Sequence, residues 1–353
     1  MESLVTWIGG KGKFLDCITP LMPSGGKRYI EPFVGGGSLF LNAGEFDKYL
    51  INDICPQLMS LYEYAKRRNS PIRTQLKDIN AAWKNIGQVY KRREADLIAP
   101  FMEFDNMQNR YCDFIDRVDR LMASIKYGEV FPVRYTIDSA FEMEKRFQYS
   151  RMFWRLKKAP MEDERISESV LTAMKMSVYS YFTELYNAGK SEEDLQNALF
   201  LFLLEFSSNG QFTFDKTGVF RPSYAGKGHN RHSLDNKIAL LKSDDFRARL
   251  SRTKLSCADA VDFLGTVKAG AGDFIVVDPP LGKMYKTIGN HTYTQEDFMV
   301  LKSYLAGTKA NWMMTVHKSS FNPDDAFYTD HHITSVGPHG EIVIITSSPF
   351  PLK

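Results

Sequence analysis

Within residues 26 to 54 the chain runs through "GKRYIEPFVGGGSLFL" and then "KYLINDI": a strand-like segment, a triple glycine, an apolar segment suited to a helix, and a second strand. Two strands bracketing a glycine turn and a helix make a βαβ unit, which commits the chain to an α/β sheet. From about Cys55 to Phe206 the pattern changes. "PQLMSLYEYAKR", "AFEMEKRFQYSRMFWRLKK" and "VLTAMKMSVYSYFTELYNAG" place apolar residues three and four apart, the period of an amphipathic helix. The α/β pattern then resumes, with "KLSCADA", "DFIVVD", "NWMMTV" and "EIVIITS" as strands and "TQEDFMVLKSYLAG" as a helix capped by Thr294. The helical block therefore reads as an insertion of residues 63–202 into an α/β domain made of residues 1–62 and 203–353. Just after the block, "FSSNGQFTFDKTGVFRPSYAGKGHNRH" carries NG and TG turn signals and reads as a hairpin or ordered loop.

With 353 residues, 43% of them hydrophobic, there is enough material for one large domain or two smaller ones. A formal charge of +3 neither demands nor excludes a polyanionic partner, so any basic surface must be local. Cys17, Cys55, Cys112 and Cys257 are scattered without a CxxC pair, which argues against a zinc site and a disulfide framework. They read as small buried residues in a reducing compartment. "DHH" at Asp330 to His332 imitates a metal pattern, but neighbouring histidines on a strand face opposite ways and no second cluster supports them, so no metal is expected. The longest apolar run, "NALFLFLLEF", is too short to span a bilayer, and no secretory leader is visible; a cytoplasmic, non-membrane protein is expected.

Two constellations carry chemistry. In "EPFVGGGSLF" the glycines let the backbone approach a ligand, and Asp53, ending the second strand, can accept both hydroxyls of a ribose. A glycine cluster alone fits a tight strand-to-helix turn equally well. The dinucleotide fingerprint fails because Phe40 takes the third glycine position, and neither "GGKGKF" nor the triple glycine has P-loop spacing. A nucleoside cofactor without a pyrophosphate fits better. In "DFIVVDPPL", Asp278 stands at the C-terminal edge of a central strand, where open α/β sheets bind ligands. Two prolines hold the chain rigidly and donate no hydrogen bond, leaving nearby carbonyls free to accept one. A carboxylate beside a rigid carbonyl is a two-acceptor clamp suited to an amino group, although a plain proline turn remains the alternative.

Taken together and in this order, "TWIGGKGKFL", "EPFVGGGS", "NDI" and "DPPL" resemble the D12 class of DNA adenine-N6 methyltransferases, the Dam-like family. Further echoes are "NG" at Asn209 and Gly210 with "GVFRPSYAGK", then "HTYTQEDF" and "GEIVIITS". The resemblance covers roughly residues 1 to 65 and 203 to 348. It implies a Rossmann-like sheet binding S-adenosylmethionine, a helical insertion for target recognition or an accessory role, DNA as partner and a bacterial or phage-encoded origin. It also implies that Trp7 and Lys11 help hold the cofactor, that Phe33, Gly35 and Gly37 shape the loop under its methionine part, and that Asp53 binds its ribose. Asp259, in "SCADA", would lie near the cofactor adenine, and Asp278 would serve both cofactor and target amine. Asn209, Arg221, Lys227 and Arg231 fall where the family approaches DNA.

The implied chemistry can be argued physically. An exocyclic adenine nitrogen is a poor nucleophile because its lone pair is delocalised; acceptance of its hydrogens by Asp278 and the Pro279 carbonyl favours a pyramidal nitrogen and stabilises the charge that develops as methyl arrives. Asp278, Pro279, Pro280 and Leu281 form this catalytic corner. The family usually carries an aromatic residue where Leu281 stands. Base stacking on an aromatic is worth about 1 to 3 kcal/mol, so weaker holding of the target base is expected, with Tyr285 and Tyr293 as nearby substitutes. Other readings keep the fold as a nucleic-acid-binding protein without turnover, or move the methyl to RNA or a cytosine amine. Basic clusters at Lys66 to Arg68 and Lys91 to Arg93 fit either phosphate contacts or solvated helix faces.

Overall fold

The computed structural model describes residues 1–67, 70–102, 116–117, 120–121, 123–131, 163–281, 287–288 and 291–349. The "AFEMEKRFQYSRMFWRLKK" helix expected from periodicity, Arg68, Cys112 and Tyr285 lie outside the described residues. Among the described residues the strands are β1 Gly25–Glu31, β2 Glu45–Asn52, β3 Ser207–Phe214, β4 Phe220–Tyr224, β5 Thr253–Ser256, β6 Asp273–Val277, β7 Thr287–Ile288, β8 His291–Thr292, β9 Asn311–His317, β10 His332–Val336 and β11 Ile342–Thr346. The chain forms two compact units. One holds residues 1–70, 216–218 and 239–353, the other residues 71–215 and 219–238.

The first unit is built on a seven-stranded sheet of order β10-β11-β9-β6-β1-β2-β5. β1 pairs in parallel with both β2 and β6, while β11 runs antiparallel between β9 and β10. All five residues of β6 and of β11 are buried, which is why they read as continuous apolar runs rather than alternating ones. On one face Tyr29, Phe40, Phe46, Tyr49 and Phe274 pack ring against ring, with Phe46 and Phe274 stacked at 6.3 Å. Phe40 is wholly buried in that cluster, a physical reason for an aromatic where a dinucleotide fold needs glycine. On the other face Leu264, Ile275, Leu301, Trp312 and Ile345 form the main core. The helix Gln295–Gly307 starts as the sequence indicated: the Thr294 hydroxyl accepts from the Asp297 amide at 3.2 Å, and the Asp297 carboxylate accepts from the Thr294 amide at 2.7 Å.

Strand order reverses between β1 and β6, because the chain grows through β2 and β5 on one side and through β9 on the other. A crevice opens at such a point beyond the carboxyl ends of the strands.

The second unit contains helices Ile72–Met102, Tyr127–Val130, Asp163–Asn187 and Glu193–Glu205 together with the β3–β4 hairpin. At its centre the wholly buried Trp83 lies 4.5 Å from the Phe206 ring and donates its indole N–H to the His232 carbonyl at 3.0 Å. These bonds hold most of residues 203–238 with the helices, so the compact units divide the chain later than the hydropathy pattern does. The "NG" signal also acts differently from a hairpin turn. Asn209 and Gly210, with φ of 55° and 70°, sit inside β3 where its register with β4 breaks, and the chain turns instead between Asp215 and Val219.

Two cysteines depart from the expectation of burial: Cys17 and Cys257 are exposed, while Cys55 is buried. In the "DHH" segment His331 packs against Trp312 at 4.8 Å and pairs with the Phe327 carbonyl at 2.6 Å, which accounts for it by packing. Among the described residues no group of His, Cys, Asp and Glu is arranged to hold a metal, and no helix is long and apolar enough to cross a membrane.

Candidate active site

A cavity of about 430 Å³ lies at the carboxyl ends of β1, β2, β6 and β9. Its floor is the loop after β1. Gly35 has φ +48°, and a Cβ there would come 2.7 Å from Trp7 Cδ1. Gly37 has φ +80°, and a Cβ would come 2.3 Å from the Tyr62 hydroxyl oxygen. The loop is thus clasped between an indole and a phenol, and only glycine gives both the left-handed backbone and the room. The Tyr62 hydroxyl donates to the Gly35 carbonyl at 3.0 Å. Gly35 lines the cavity, whereas Gly37 stands behind its wall.

Asp53 follows β2 and is almost fully buried. One carboxylate oxygen accepts from the Gly35 amide and the other from the Cys55 amide, each at 3.0 Å. Burial pushes this carboxyl up to about 6, against the pull of those backbone amides. Each oxygen retains a second lone pair for a hydroxyl donor. Glu31, at the end of β1, lines the same cavity and accepts from the Tyr29 hydroxyl at 2.8 Å. Its own burial pushes it well above the usual carboxylate range; Asp278 and Asp53 push the same way, and Tyr29 and Lys11 pull it back.

Asp278 stands just beyond β6. Lys11 Nζ reaches its two oxygens at 2.6 and 2.5 Å and also donates to the Gly9 carbonyl at 2.9 Å. The Thr315 hydroxyl, from the buried middle of β9, donates to Asp278 Oδ1 at 2.7 Å. The end of β6, the middle of β9 and the N-terminal segment therefore converge on one carboxylate. The proline corner differs from the sequence reading in one respect: the Pro279 carbonyl is already engaged, accepting from the Leu281 amide at 2.9 Å. That bond closes a tight turn and leaves one lone pair on the oxygen. Leu281 is half-buried, packing on the main core while lining the cavity.

Trp7, Lys11, Phe33, Gly35, Asp53 and Asp259 all line this cavity, as do Asp278, Pro279, Pro280 and Leu281, although they come from five separate stretches of sequence. Asp259 also caps the helix Ala260–Val267, its Oδ1 accepting from Val261 at 2.8 Å and Asp262 at 3.3 Å. Asn209, Arg221, Lys227 and Arg231 belong to the helical unit, and none lines the cavity. Arg221 pairs with Asp215 at 2.9 Å and Lys227 with Glu168 at 3.6 Å, both on exposed surface. In the basic cluster after β2, Lys66 donates to the Thr253 carbonyl at 2.7 Å and Arg67 covers the Tyr64 ring at 4.2 Å. Glu31, Tyr62, Thr315 and Ser38, which lines the cavity and accepts from the Lys11 amide at 3.2 Å, are not singled out by the sequence. An acidic residue ending a strand immediately before Pro-Phe was a usable signal for Glu31. A threonine inside "NWMMTV" gives no such signal.

A sheet of this order, with one antiparallel strand near its edge and a cavity at the β1/β6 switch point, is Rossmann-like and consistent with a methyltransferase fold. The family model described as D12 class N6 adenine-specific DNA methyltransferase matches residues 7–130, reaching beyond the glycine loop and Asp53 into the helical block. Among curated proteins the chain is 36% identical over 89 residues to the DNA adenine methylase of Escherichia coli strain K12, covering 25% of this chain and 31% of that one. It is 45% identical over 66 residues to the DNA N-6-adenine-methyltransferase of Escherichia phage P1, covering 19% and 8% of the two chains. It is 42% identical over 60 residues to the DNA adenine methylase of Haemophilus influenzae, covering 17% and 21%. The matches thus span less than a third of the length of each of these relatives.

Proposed function

We propose that the chain transfers a methyl group from S-adenosylmethionine to the N6 amine of adenine in double-stranded DNA. The observation that carries this reading is the convergence of Asp278, Asp53 and the glycine loop on one cavity. The donor set suits this cofactor. The carboxylates of Asp53 and Asp278 line a site to which Lys11 contributes a cation, and Glu31 beside them is held towards its neutral form by burial and gains from a cation nearby, a field that favours a positively charged ligand. A volume of about 430 Å³ is in the range of small-molecule sites, and the loop under it leaves no room for a side chain at Gly35. Trp7, Gly35, Asp53 and Asp259 would hold the cofactor, which supplies an activated methyl group when bound.

The chain's own contribution is to hold and polarise the amine. Lys11 and Thr315 fix the Asp278 carboxylate, and the lone pair left on Oδ2 accepts one N–H. The second lone pair of the Pro279 oxygen accepts the other. Both acceptors are fixed before the amine arrives, so they stabilise positive charge developing on nitrogen without reorganising. Leu281 gives the base an apolar contact in place of a ring. A base stacked in a duplex cannot reach this depth, so it would be flipped into the cavity. The helical unit would supply target contacts, with Asn209, Arg221, Lys227 and Arg231 meeting phosphates or bases. Their surface ion pairs are weak enough to exchange for phosphate. No metal is required by any step.

The test is incubation with labelled S-adenosylmethionine and unmethylated DNA, followed by digestion to nucleosides. Label in N6-methyl-2′-deoxyadenosine that is lost in Asp278→Ala is the expected result. Cofactor binding without transfer to DNA would favour a nucleic-acid-binding protein that keeps the fold without turnover. Label in cytosine or only in RNA would move the acceptor.

A further inference from the structure

Tyr293 sits immediately before the N-cap of the helix Gln295–Gly307 and is 4% exposed. Its ring meets Phe33 edge-on, with centroids 5.5 Å apart and planes at 87°. Its hydroxyl is buried and has no hydrogen-bond partner among the described residues, yet the residue lines the cavity. Buried phenols ordinarily find a partner, so one without a protein partner, on a residue that lines the cavity, marks a place where a ligand supplies it. Burial opposes ionisation of this phenol, and the carboxylates of Asp297 and Asp259 oppose it further, which keeps the group a neutral O–H donor.

Which ligand it meets follows from the sheet order. Asp53 and Asp259 follow β2 and β5, on one side of β1, whereas Asp278 and Thr315 lie on the other, with β6 and β9. Tyr293 belongs to the core cluster against which Ala258 and Val261 pack on either side of Asp259, so it belongs to the half of the cavity that would hold the nucleoside. With its ring buried against Phe33, it offers no open face on which a target base could stack in place of the ring missing at Leu281.

Resting on the methyltransferase reading above, we infer that the Tyr293 hydroxyl donates a hydrogen bond to a ring nitrogen of the cofactor purine. It is a cofactor-binding residue and takes no part in holding the target base. The test is titration of S-adenosylhomocysteine into wild-type protein and Tyr293→Phe, with the Michaelis constant for DNA measured alongside. Phenylalanine keeps the contact with Phe33 and removes only the hydroxyl. The dissociation constant should rise about tenfold, the loss of one buried hydrogen bond, while the DNA constant stays unchanged. The melting temperature without ligand should hold or rise, because the phenol has no partner to lose. Wild-type binding with equal affinity in the variant overturns the inference alone, as does a rise confined to the DNA constant. A wild-type protein that does not bind S-adenosylhomocysteine overturns both this inference and the methyltransferase reading.

Discussion

Replacing Gly37 by alanine tests how the cavity floor is held. The backbone there has φ +80°, which costs a residue with a Cβ about 1–2 kcal/mol. The new methyl would also come 2.3 Å from the Tyr62 hydroxyl, far inside contact distance, and the ring carbon behind it is 3.5 Å away. Tyr62 is wholly buried on the helix Pro56–Lys66 and cannot swing into solvent, so the oxygen must give way within the core. Moving it sacrifices the bond to the Gly35 carbonyl, about 1 kcal/mol, and adds overpacking of about 1–3 kcal/mol. Gly37→Ala should therefore destabilise by about 3–6 kcal/mol in urea unfolding. Tyr62→Phe alone should lose about 1 kcal/mol. In the double variant the colliding oxygen is gone and the bond to Gly35 is lost only once, so the combined loss should be about 2–4 kcal/mol smaller than the sum of the singles. Because the Gly35 amide also holds Asp53, Gly37→Ala should weaken cofactor binding, and the double variant should recover part of it. Additivity within about 0.5 kcal/mol would refute the collision and with it the account of why glycine stands there.

Asp53 gives a pH signature: burial raises its carboxyl from 3.8 to about 6, so the folded chain without cofactor retains a proton that the unfolded chain releases, and this group's contribution to stability falls as pH rises through that window. Ribose hydroxyls donate to the ionised form, so affinity for S-adenosylhomocysteine, followed by calorimetry, should weaken as pH falls below about 6, and Asp53→Asn should flatten that dependence. Leu281→Tyr should preserve or raise methyl transfer, with the gain in the Michaelis constant for DNA; loss of activity would mean that the leucine fits something a ring would block. In the helical unit, burial pulls the Lys175 ammonium down to about 7 while it lies 4.1 Å from the centre of the Trp83 ring. The unfolded chain holds that proton to higher pH, so stability should increase between about pH 7 and 10, and Lys175→Met should remove the slope in denaturant titrations.

What could be read from the chain alone was whatever is encoded locally. The period of apolar residues marked strands and helices, and the Thr294 cap and the run "DFIVVD" emerge where that pattern puts them. Glycines, the strand-end Asp53 and Asp278, and the paired prolines announced a nucleoside cavity because their chemistry is unusual at those local positions. Distances across the chain were invisible. Nothing near Lys11 in sequence shows that its amine will meet Asp278, 267 residues away, or that Thr315 will share the same carboxylate. The Pro279 oxygen looked free because its partner, the Leu281 amide, is engaged only by the fold of that corner. The NG pair looked like a hairpin turn, but register with β4 is set by pairing along the whole strand, and the pair became an irregularity inside β3. Likewise the burial of Glu31 and of the Tyr293 hydroxyl belongs to neither residue, since burial is a property of what packs around a group. Sequence by itself determined the kinds of element and the residues able to do chemistry, through local backbone and side-chain preferences. Only the tertiary structure decided which of them share a cavity, which carboxyls are raised by losing water, and which polar groups are left for a ligand.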